Sequence, residues 1–302
     1  MLRSAVEGFD PDLMIIDNVP RGAQYELDKT LAMLSRHGRC RVVLGLRDVI
    51  DERTVTRRQW LRQRNFETIR RHFDEVWIYG DPNVYDILTD CGMSEPIGAR
   101  CKYVGYLDPT GRRDATQAAA DLAQVRGADK RPYVFCAVGG GRDGLALCEA
   151  FAAASLPSGH RGILVTGTQM PDNQKARIAA MAQGRDNLTV LSFLREPIQV
   201  MHHAARIIGM GGYNTTVEML ALRRPALIVP RCAPRREQIM RTERLAAREL
   251  VSMLHPGELS PSALGHWMAN AITKPGPGPD MNGLARVQAL ARSGAALIPA
   301  AA

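Results

Sequence analysis

The stretch RIIGMGGYNTTVEML (206–220) joins a short β-branched run to a polar helix start through closely spaced glycines. RIIG is typical of a buried strand, and the pattern after Gly211 and Gly212 predicts a helix. Asn214 is expected to cap that helix, with Thr215 in its first turn. Such a turn directs backbone N–H groups beyond the end of the strand, where an anionic ligand can bind them.

The same alternation of strands and helices extends along the whole chain. In the first half, strands are predicted at 12–17, 41–46, 75–80 and 102–107, with one helix over 53–72. In the second half, the predicted strands lie within YVFCAVGGG, RGILVTGT, LTVLSF, RIIGMGG, PALIVP and LVSMLHP. This rhythm predicts an α/β protein whose parallel sheets are covered by helices on both faces.

Residues 108–131 interrupt the alternation and divide the chain into two Rossmann-like domains. We predict a first domain at 1–110, a second at 111–280, and a C-terminal helix and tail at 281–302. The first domain offers only about four strands and lacks an opening strand with a glycine-rich turn, which a doubly wound domain normally has. We therefore expect its N-terminal part to be truncated.

Composition narrows the class of protein. The chain has 302 residues, of which 45% are hydrophobic and 23% charged, as in ordinary globular proteins. No apolar run is long enough to cross a bilayer, and the first residues lack the apolar core of a signal peptide. The six cysteines form no CxxC pair. We expect a cytoplasmic protein with reduced thiols and no metal or cofactor.

The net charge of +8 comes mainly from arginines that are spread along the whole chain. A basic surface can meet nucleic acid, anionic lipid or a phosphorylated substrate. No aromatic-interleaved basic patch accompanies the arginines, so we do not expect a nucleic-acid partner.

A second glycine-rich turn follows the strand within YVFCAV. Gly139, Gly140 and Gly141 let the backbone approach a ligand closely, and the helix beginning near Asp143 presents its positive dipole end there. Arg142 lies where a phosphate partner would be useful. A diphosphate is the natural guest of this turn, although an ordinary tight connection between strand and helix has the same pattern.

Candidate ligand-binding residues follow three of the predicted strands. Glu218 lies about one helical turn after Asn214, where its carboxylate could accept hydrogen bonds from a ribose diol or interact only with the helix dipole. After PALIVP, Glu237 and Gln238 could contact sugar hydroxyls. After LTVLS, Phe193 and Leu194 could either support a base or belong to the core.

The segment RIIGMGGYNTTVEMLALRRPALIVPRCAPRREQIMRTERL (206–245) resembles the donor-binding segment of GT-B glycosyltransferases. It is most similar to the family typified by the bacterial N-acetylglucosaminyltransferase that completes lipid II, and to bacterial predicted glycosyltransferases. The resemblance spans about 130–255. It implies two Rossmann-like domains of the GT-B type and inverting transfer of a sugar from a uridine-diphosphate donor to a hydroxyl acceptor.

The resemblance also implies roles for residues of the second domain. Glu218 would bind the ribose, and Phe193 with Leu194 would pack on and read the uracil. The glycines Gly139 to Gly141 and Thr215 would lie by the diphosphate. Gln238, together with Glu237, would contact the donor sugar. The absence of a DxD-like pair beside a donor strand favours a metal-independent reaction.

The acceptor side is less defined, because the family's opening glycine-rich loop and histidine-containing segment have no counterpart here. Asp17, Arg47 and Asp48 follow strands of the first domain and are the remaining candidates. A buried structural role for Asp48 is an equally good interpretation. The basic charge is compatible with a lipid-linked acceptor and with peripheral contact at the inner membrane surface.

Three other functions remain open from the sequence. A partner-dependent or non-catalytic donor-binding fragment would need a partner chain to supply the missing N-terminal part. A nucleotide-sugar 2-epimerase shares the two-domain fold. A nucleic-acid binder is suggested only by the net charge.

Overall fold

The computed structural model describes residues 2–111, 115–127, 129–270 and 276–295. These residues divide into two compact units. Unit 1 comprises residues Met1–Leu107 together with Pro279–Ala302, and unit 2 comprises Asp108–Gly278. The C-terminal segment that the sequence sets apart at 281–302 is therefore part of unit 1, and its last residues, 296–302, lie outside the described ranges.

Unit 1 contains a sheet of four parallel strands in the order β1-β2-β3-β4. Its strands are β1 (Leu13–Asp17), β2 (Arg41–Arg47), β3 (Glu75–Tyr79) and β4 (Cys101–Tyr103). The helices up to β4 are α1 (Leu2–Phe9), α2 (Asp28–His37), α3 (Arg53–Arg62), α4 (Asn65–His72), α5 (Ile87–Asp90) and α6 (Ser94–Ile97).

The central strands of unit 1 read as continuous apolar runs because both of their faces are buried. In β2, residues 42–46 are all buried, as is expected of an inner parallel strand. A Cβ on Gly45 would overlap the hydroxyl of Tyr79 on β3, so a larger residue there would force the Tyr79 side chain to move. Burial and close packing thus determine the sequence of the strand.

Two predictions for unit 1 are wrong in detail. The single helix predicted over 53–72 is divided into α3 and α4, because Arg64 adopts a left-handed backbone with φ of 54°. The strand predicted over 102–107 ends at Tyr103, and the chain then turns through Gly105 at a φ of 90°. A positive φ is incompatible with continuing either a helix or a strand.

Unit 2 contains six parallel strands in the order β10-β9-β8-β5-β6-β7. Its strands are β5 (Tyr133–Ala137), β6 (Arg161–Val165), β7 (Leu188–Leu191), β8 (Arg206–Gly209), β9 (Ala226–Ile228) and β10 (Ser252–Met253). Its helices are α7 (Ala115–Arg126), α8 (Leu145–Ala153), α9 (Asp172–Ala182), α10 (Pro197–His203), α11 (Tyr213–Leu222), α12 (Glu237–Ala246) and α13 (Pro261–Ala269).

The strand order of unit 2 is that of a doubly wound Rossmann sheet. The chain proceeds from β5 through β6 to β7 on one side, then returns to place β8 against the other side of β5. The order therefore reverses between β5 and β8, and ligands of such sheets bind in the crevice outside the strand ends at this switch point. The predicted α/β fold of two Rossmann-like units is confirmed.

The last helix returns to unit 1. The backbone N–H of Tyr106 donates to the carbonyl of Asp280 (2.8 Å), and the N–H of Asp280 donates to the carboxylate of Asp81 (2.9 Å). These bonds lead into α14 (Gly283–Ala295). Residues 271–275, which precede this segment, lie outside the described ranges. Within the described part of the chain, no helix has the length and apolarity that a membrane span requires.

Candidate functional site

The switch point of unit 2 brings together the two glycine-rich turns that the sequence singles out. Ala137 at the end of β5 pairs with Gly209 at the end of β8. The chain continues from β5 into Gly139–Gly141 and from β8 into Gly211 and Gly212. Two cavities of unit 2 lie beside these turns.

The first cavity, which we call the aromatic cavity, has a volume of about 310 Å³. Its wall includes Phe193, of which 54% is exposed, and the buried Leu194. Glu218 of α11 also lines it. The wall further includes residues that the sequence analysis missed, namely Gly167, Thr168, Ser192, Pro197 and Met201. An exposed aromatic face and a carboxylate thus share one cavity.

The second cavity, which we call the polar cavity, has a volume of about 360 Å³. The predicted site residues that line it are Gly139, Gly140, Gly141, Arg142, Gly212, Thr215 and Gln238. It is also lined by Asp143, Gln169, Met210 and Arg231, which the sequence analysis did not assign to the site. Arg142 is exposed and forms no ion pair within the part of the chain that the structure describes.

Three residues belong to the walls of both cavities: Gly139, Gly140 and Thr215. The two cavities therefore adjoin each other along the two glycine-rich turns. Gly139 has a φ of 63° and Gly141 a φ of 93°, a backbone region that favours glycine. A Cβ on Gly141 would overlap the carbonyl oxygen of Thr166, whereas one on Gly139 would meet no atom within 4 Å.

The start of α11 differs from the prediction. Gly212, and not Asn214, occupies the N-cap position, and no side chain caps the helix. Asn214 is exposed within the first turn and lines neither cavity. The helix begins earlier because Tyr213, its first residue, is buried with its ring 5.6 Å from the Arg241 guanidinium carbon.

The early start of α11 leaves backbone N–H groups at its N-terminal end outside the hydrogen-bonded part of the helix. The N–H of Thr216 donates the first bond of the turn to the carbonyl of Gly212 (2.9 Å). The N–H groups of Asn214 and Thr215 therefore precede the hydrogen-bonded part of the helix, where backbone donors have no intrahelical partner. Because Thr215 lines both cavities, this positive end of α11 faces their common wall.

Arg231 connects two carboxylates at the polar cavity. Its Nη1 donates to Asp143 (2.9 Å) and its Nη2 to Glu237 (2.7 Å). Burial acts to lower the pKa of Arg231, but the hydrogen bond to Asp143 and the charge of Glu237 raise it above its ordinary value. Glu237 lies outside the walls of both cavities, because its carboxylate is directed to Arg231.

Gln238 is the polar side chain of α12 that lines the polar cavity. Only 8% of it is exposed. Its Oε1 accepts a hydrogen bond from the backbone N–H of Arg231 (3.1 Å), which leaves Nε2 as the donor end of the amide. Gly211 lines neither cavity, and its carbonyl accepts from the buried Arg241 (3.0 Å).

The three acceptor-side candidates lie in unit 1. Asp17 and Arg47, at the ends of adjacent strands, form an ion pair of 3.3 Å, with 66% of the Asp17 side chain exposed. Asp48 is fully buried. It accepts hydrogen bonds from the N–H of Val49 (2.8 Å) and the hydroxyl of Tyr106 (2.9 Å). This environment supports the structural interpretation of Asp48.

Side chains able to hold a metal do not cluster among the residues that the structure describes. In residues 2–111, 115–127, 129–270 and 276–295, no group of three or more His, Cys, Asp or Glu side chains has such an arrangement. All six cysteines are free. Burial raises the pKa of the Cys148 thiol to about 12, and it also raises the pKa of Cys136 well above the ordinary value.

No protein-family model matches this sequence, and no curated protein does. Solved structures match over nearly the whole chain. The glycotransferase of kitacinnamycin is 15% identical, with a TM-score of 0.59 over 98% of this chain and 74% of its own. MurG of Acinetobacter baumannii is 16% identical, with a TM-score of 0.53 over 96% of this chain and 72% of its own.

A structure of another class is similar to the same extent. UDP-GlcNAc 2-epimerase of Neisseria meningitidis, bound to UDP-GlcNAc, is 13% identical, with a TM-score of 0.60 over 97% of this chain and 79% of its own. At these identities the likeness shows the fold. The chain has the GT-B fold, so the resemblance predicted from 206–245 is confirmed at that level, and function has to be argued from the site.

Proposed function

We propose that this protein is a hexosyltransferase-type glycosyltransferase that takes its sugar from a uridine-diphosphate donor bound in unit 2. The observation that carries the proposal is the common wall of Gly139, Gly140 and Thr215 between the aromatic and polar cavities. A nucleotide sugar has a base and ribose at one end, a diphosphate in the middle and a sugar at the other end. The order of the two cavities supports this ligand.

The aromatic cavity would hold the nucleoside. The uracil would lie against Phe193, whose exposed face offers a stacking surface, with Leu194 beneath it. Glu218 would accept hydrogen bonds from the two ribose hydroxyls, as acidic residues of dinucleotide folds do. In this assignment Phe193 and Glu218 both contact the nucleoside, which residues of the protein core would not do.

The common wall would hold the diphosphate. Gly139 to Gly141 bring the backbone close to the ligand, and Thr215 adds a backbone N–H and a hydroxyl at the tip of α11. Arg142 would neutralise part of the charge. When the glycosidic bond breaks, the diphosphate gains negative charge, and fixed dipoles of this kind stabilise it without reorganisation. The reaction proposed is metal-independent and inverting.

The polar cavity beyond this wall would hold the donor sugar. Gln238 would donate its amide N–H to a sugar hydroxyl, because its Oε1 already accepts from Arg231. For the acceptor side, Asp17 and Arg47 of unit 1 remain our candidates. The acceptor would be a hydroxyl compound, with lipid-linked molecules included, and the protein would work in the cytoplasm or at the inner membrane surface. We also include in this proposal a partner chain that would be needed for transfer to the acceptor.

Binding and product analysis test the proposal. Calorimetry should give tighter binding for UDP than for UMP or uridine, because the common wall would contact both phosphates. Equal affinity for UDP and uridine would contradict a diphosphate at the glycines. Transfer would then be followed as release of UDP from a donor in the presence of candidate acceptors and candidate partner chains.

A second candidate, a nucleotide-sugar 2-epimerase, is favoured by the likeness to the 2-epimerase structure. The donor cavities are compatible with both reactions, since both begin with a bound nucleotide sugar. Incubation without an acceptor separates them. An epimerase would convert UDP-N-acetylglucosamine into its 2-epimer, whereas a transferase would leave the sugar configuration unchanged.

A further inference from the structure

The connection between β6 and α9 packs directly against the glycine-rich turn after β5. A Cβ on Gly141 would overlap the carbonyl of Thr166, and a Cβ on Gly167 would overlap the backbone of Gly140. The backbone N–H of Gln169 then donates to the carbonyl of Gly140 (2.8 Å). Because β5 and β6 are neighbouring parallel strands, both connections lie at the edge of the sheet where ligands bind. Backbone contacts thus fix the position of Gln169 beside the turn.

The side chain of Gln169 lies over Gly140. A Cβ built on Gly140 would be 3.3 Å from the amide carbon of Gln169 and 3.6 Å from its Nε2. Gln169 is exposed, and its amide forms no hydrogen bond to any residue whose position the structure describes. Both ends of this amide are therefore open to a ligand that reaches Gly140.

Gln169 lies on the polar side of the common wall. It lines the polar cavity and not the aromatic cavity, whereas the two residues before it, Gly167 and Thr168, line the aromatic cavity. Gly140, which the side chain covers, belongs to both walls. With the base and ribose in the aromatic cavity, Gln169 is placed at the end of the diphosphate that is distal from the nucleoside.

The free amide of Gln169 suits a phosphate oxygen. No protein group determines which end of this amide faces the cavity, so the side chain can present its Nε2 as a donor. A phosphate oxygen only accepts hydrogen bonds, and a bond to a charged acceptor is stronger than one between neutral groups. We infer that Gln169 donates to the phosphate distal from the ribose, and that it thereby distinguishes a nucleoside diphosphate from a monophosphate. This inference rests on the proposed function, because it assumes a nucleoside in the aromatic cavity.

The affinities for UDP, UMP and uridine, measured by calorimetry, test this assignment. Gln169→Ala removes the amide and keeps the backbone N–H that binds Gly140. We expect it to weaken UDP binding about tenfold, the scale of one hydrogen bond to a charged group, and to change UMP and uridine binding by less than about twofold. Gln169→Glu places a negative charge beside the phosphate, so it should weaken UDP binding more than alanine does. Raising the ionic strength to about 0.5 M should reduce that excess, because salt screens exposed charges.

Gln124→Ala and Gln124→Glu are the matched controls. Gln124 is an exposed glutamine of α7 in the same unit, and it lines neither cavity. Both controls should leave the three affinities as in the native protein. Circular dichroism and urea denaturation check that all four variants are folded.

The outcomes separate the inference from the function on which it rests. If the native preference for UDP over uridine persists in Gln169→Ala, the inference is overturned and the proposed function stands. Equal losses for UDP and uridine also overturn the inference, because they would show an effect on the structure of the turn. A native protein that binds UDP no more tightly than uridine overturns the proposed function and the inference together. A loss confined to UDP, and larger in Gln169→Glu, supports both.

Discussion

The carbonyl oxygen of the Gln238 side chain accepts a hydrogen bond of 3.1 Å from the backbone N–H of Arg231. A backbone N–H can only donate, so this bond determines which end of the amide is which. Nε2 is therefore the donor end of the Gln238 amide, at a residue that lines the polar cavity. The partner that determines this orientation, Arg231, lies in the loop after β9.

Gln238→Glu tests this orientation. The glutamate can still accept from Arg231, but its second oxygen is an acceptor in the place of a donor. We expect UDP-hexose to bind about tenfold more weakly, the scale of one lost hydrogen bond at a buried group, while UDP affinity stays unchanged. Gln183→Glu, at an exposed residue after α9, is the control. Equal losses for UDP and UDP-hexose in calorimetry would show that Gln238 acts on structure and not on the sugar.

Glu218→Ala tests the ribose contact. Loss of charge-assisted hydrogen bonds to the diol should weaken UDP binding by roughly 1.5–3 kcal/mol. The loss should be smaller for 2′-deoxy-UDP, which lacks one of the two hydroxyls. Glu258→Ala, at an exposed acid of unit 2, is the control. Unchanged UDP affinity in calorimetry would remove Glu218 from the site.

Alanine at Gly139 and at Gly141 should separate binding from stability. The methyl group at 139 meets no protein atom and would enter the common wall of the cavities. We expect the affinity for UDP to fall about tenfold or more, because the methyl group would overpack the site proposed for the diphosphate. Its effect on unfolding should be about 1–2 kcal/mol, the cost of a positive φ in alanine.

At Gly141 the methyl group would overlap the Thr166 carbonyl, in addition to the positive φ. We expect Gly141→Ala to lower the free energy of unfolding of unit 2 by about 3 kcal/mol or more. Urea denaturation of both variants gives this comparison. Similar stability of the two variants would show that the turn can relax away from Thr166.

Glu75 should make the stability of unit 1 depend on pH. Burial acts to raise the pKa of Glu75, but hydrogen bonds from Lys102, Trp77 and Arg41 hold it below the ordinary value. A carboxylate with a lowered pKa in the folded state stabilises the protein above the unfolded value, about pH 4.3. That contribution is lost as the pH falls through the folded pKa.

Glu75→Gln should therefore destabilise unit 1 by about 1–3 kcal/mol near pH 7 and weaken the dependence of its stability on acid below about pH 4.3. Trp60 and Trp77 lie in unit 1 and Trp267 in unit 2, so tryptophan fluorescence in a Trp267→Phe background reports the unfolding of unit 1. Glu95→Gln, an exposed acid of α6, is the control. Parallel stability curves for the native protein and Glu75→Gln between pH 3 and 7 (roughly, the range in which glutamates titrate) would contradict the prediction.

The succession of strands and helices in both units could be predicted, because it depends on residues near each other in sequence. The apolar run of β2 and the glycines after β5 carry their structural meaning within a few positions. The prediction fails where a residue of another helix or strand determines the local structure. Asn214 has the chemistry of an N-cap, but packing of Tyr213 near Arg241 starts α11 earlier.

The sequence by itself determined the strand and helix rhythm, the two glycine-rich turns and the residue types on which the proposed nucleotide-sugar site depends. Only the tertiary structure decided that Asp48 is buried against Tyr106 and that Arg231 binds Asp143, 88 positions away. The strand order β9-β8-β5 brings the loops of Arg231 and Asp143 to one edge of the sheet. Local patterns follow from backbone conformation and burial, whereas the pairing of distant charges follows from which strands lie side by side.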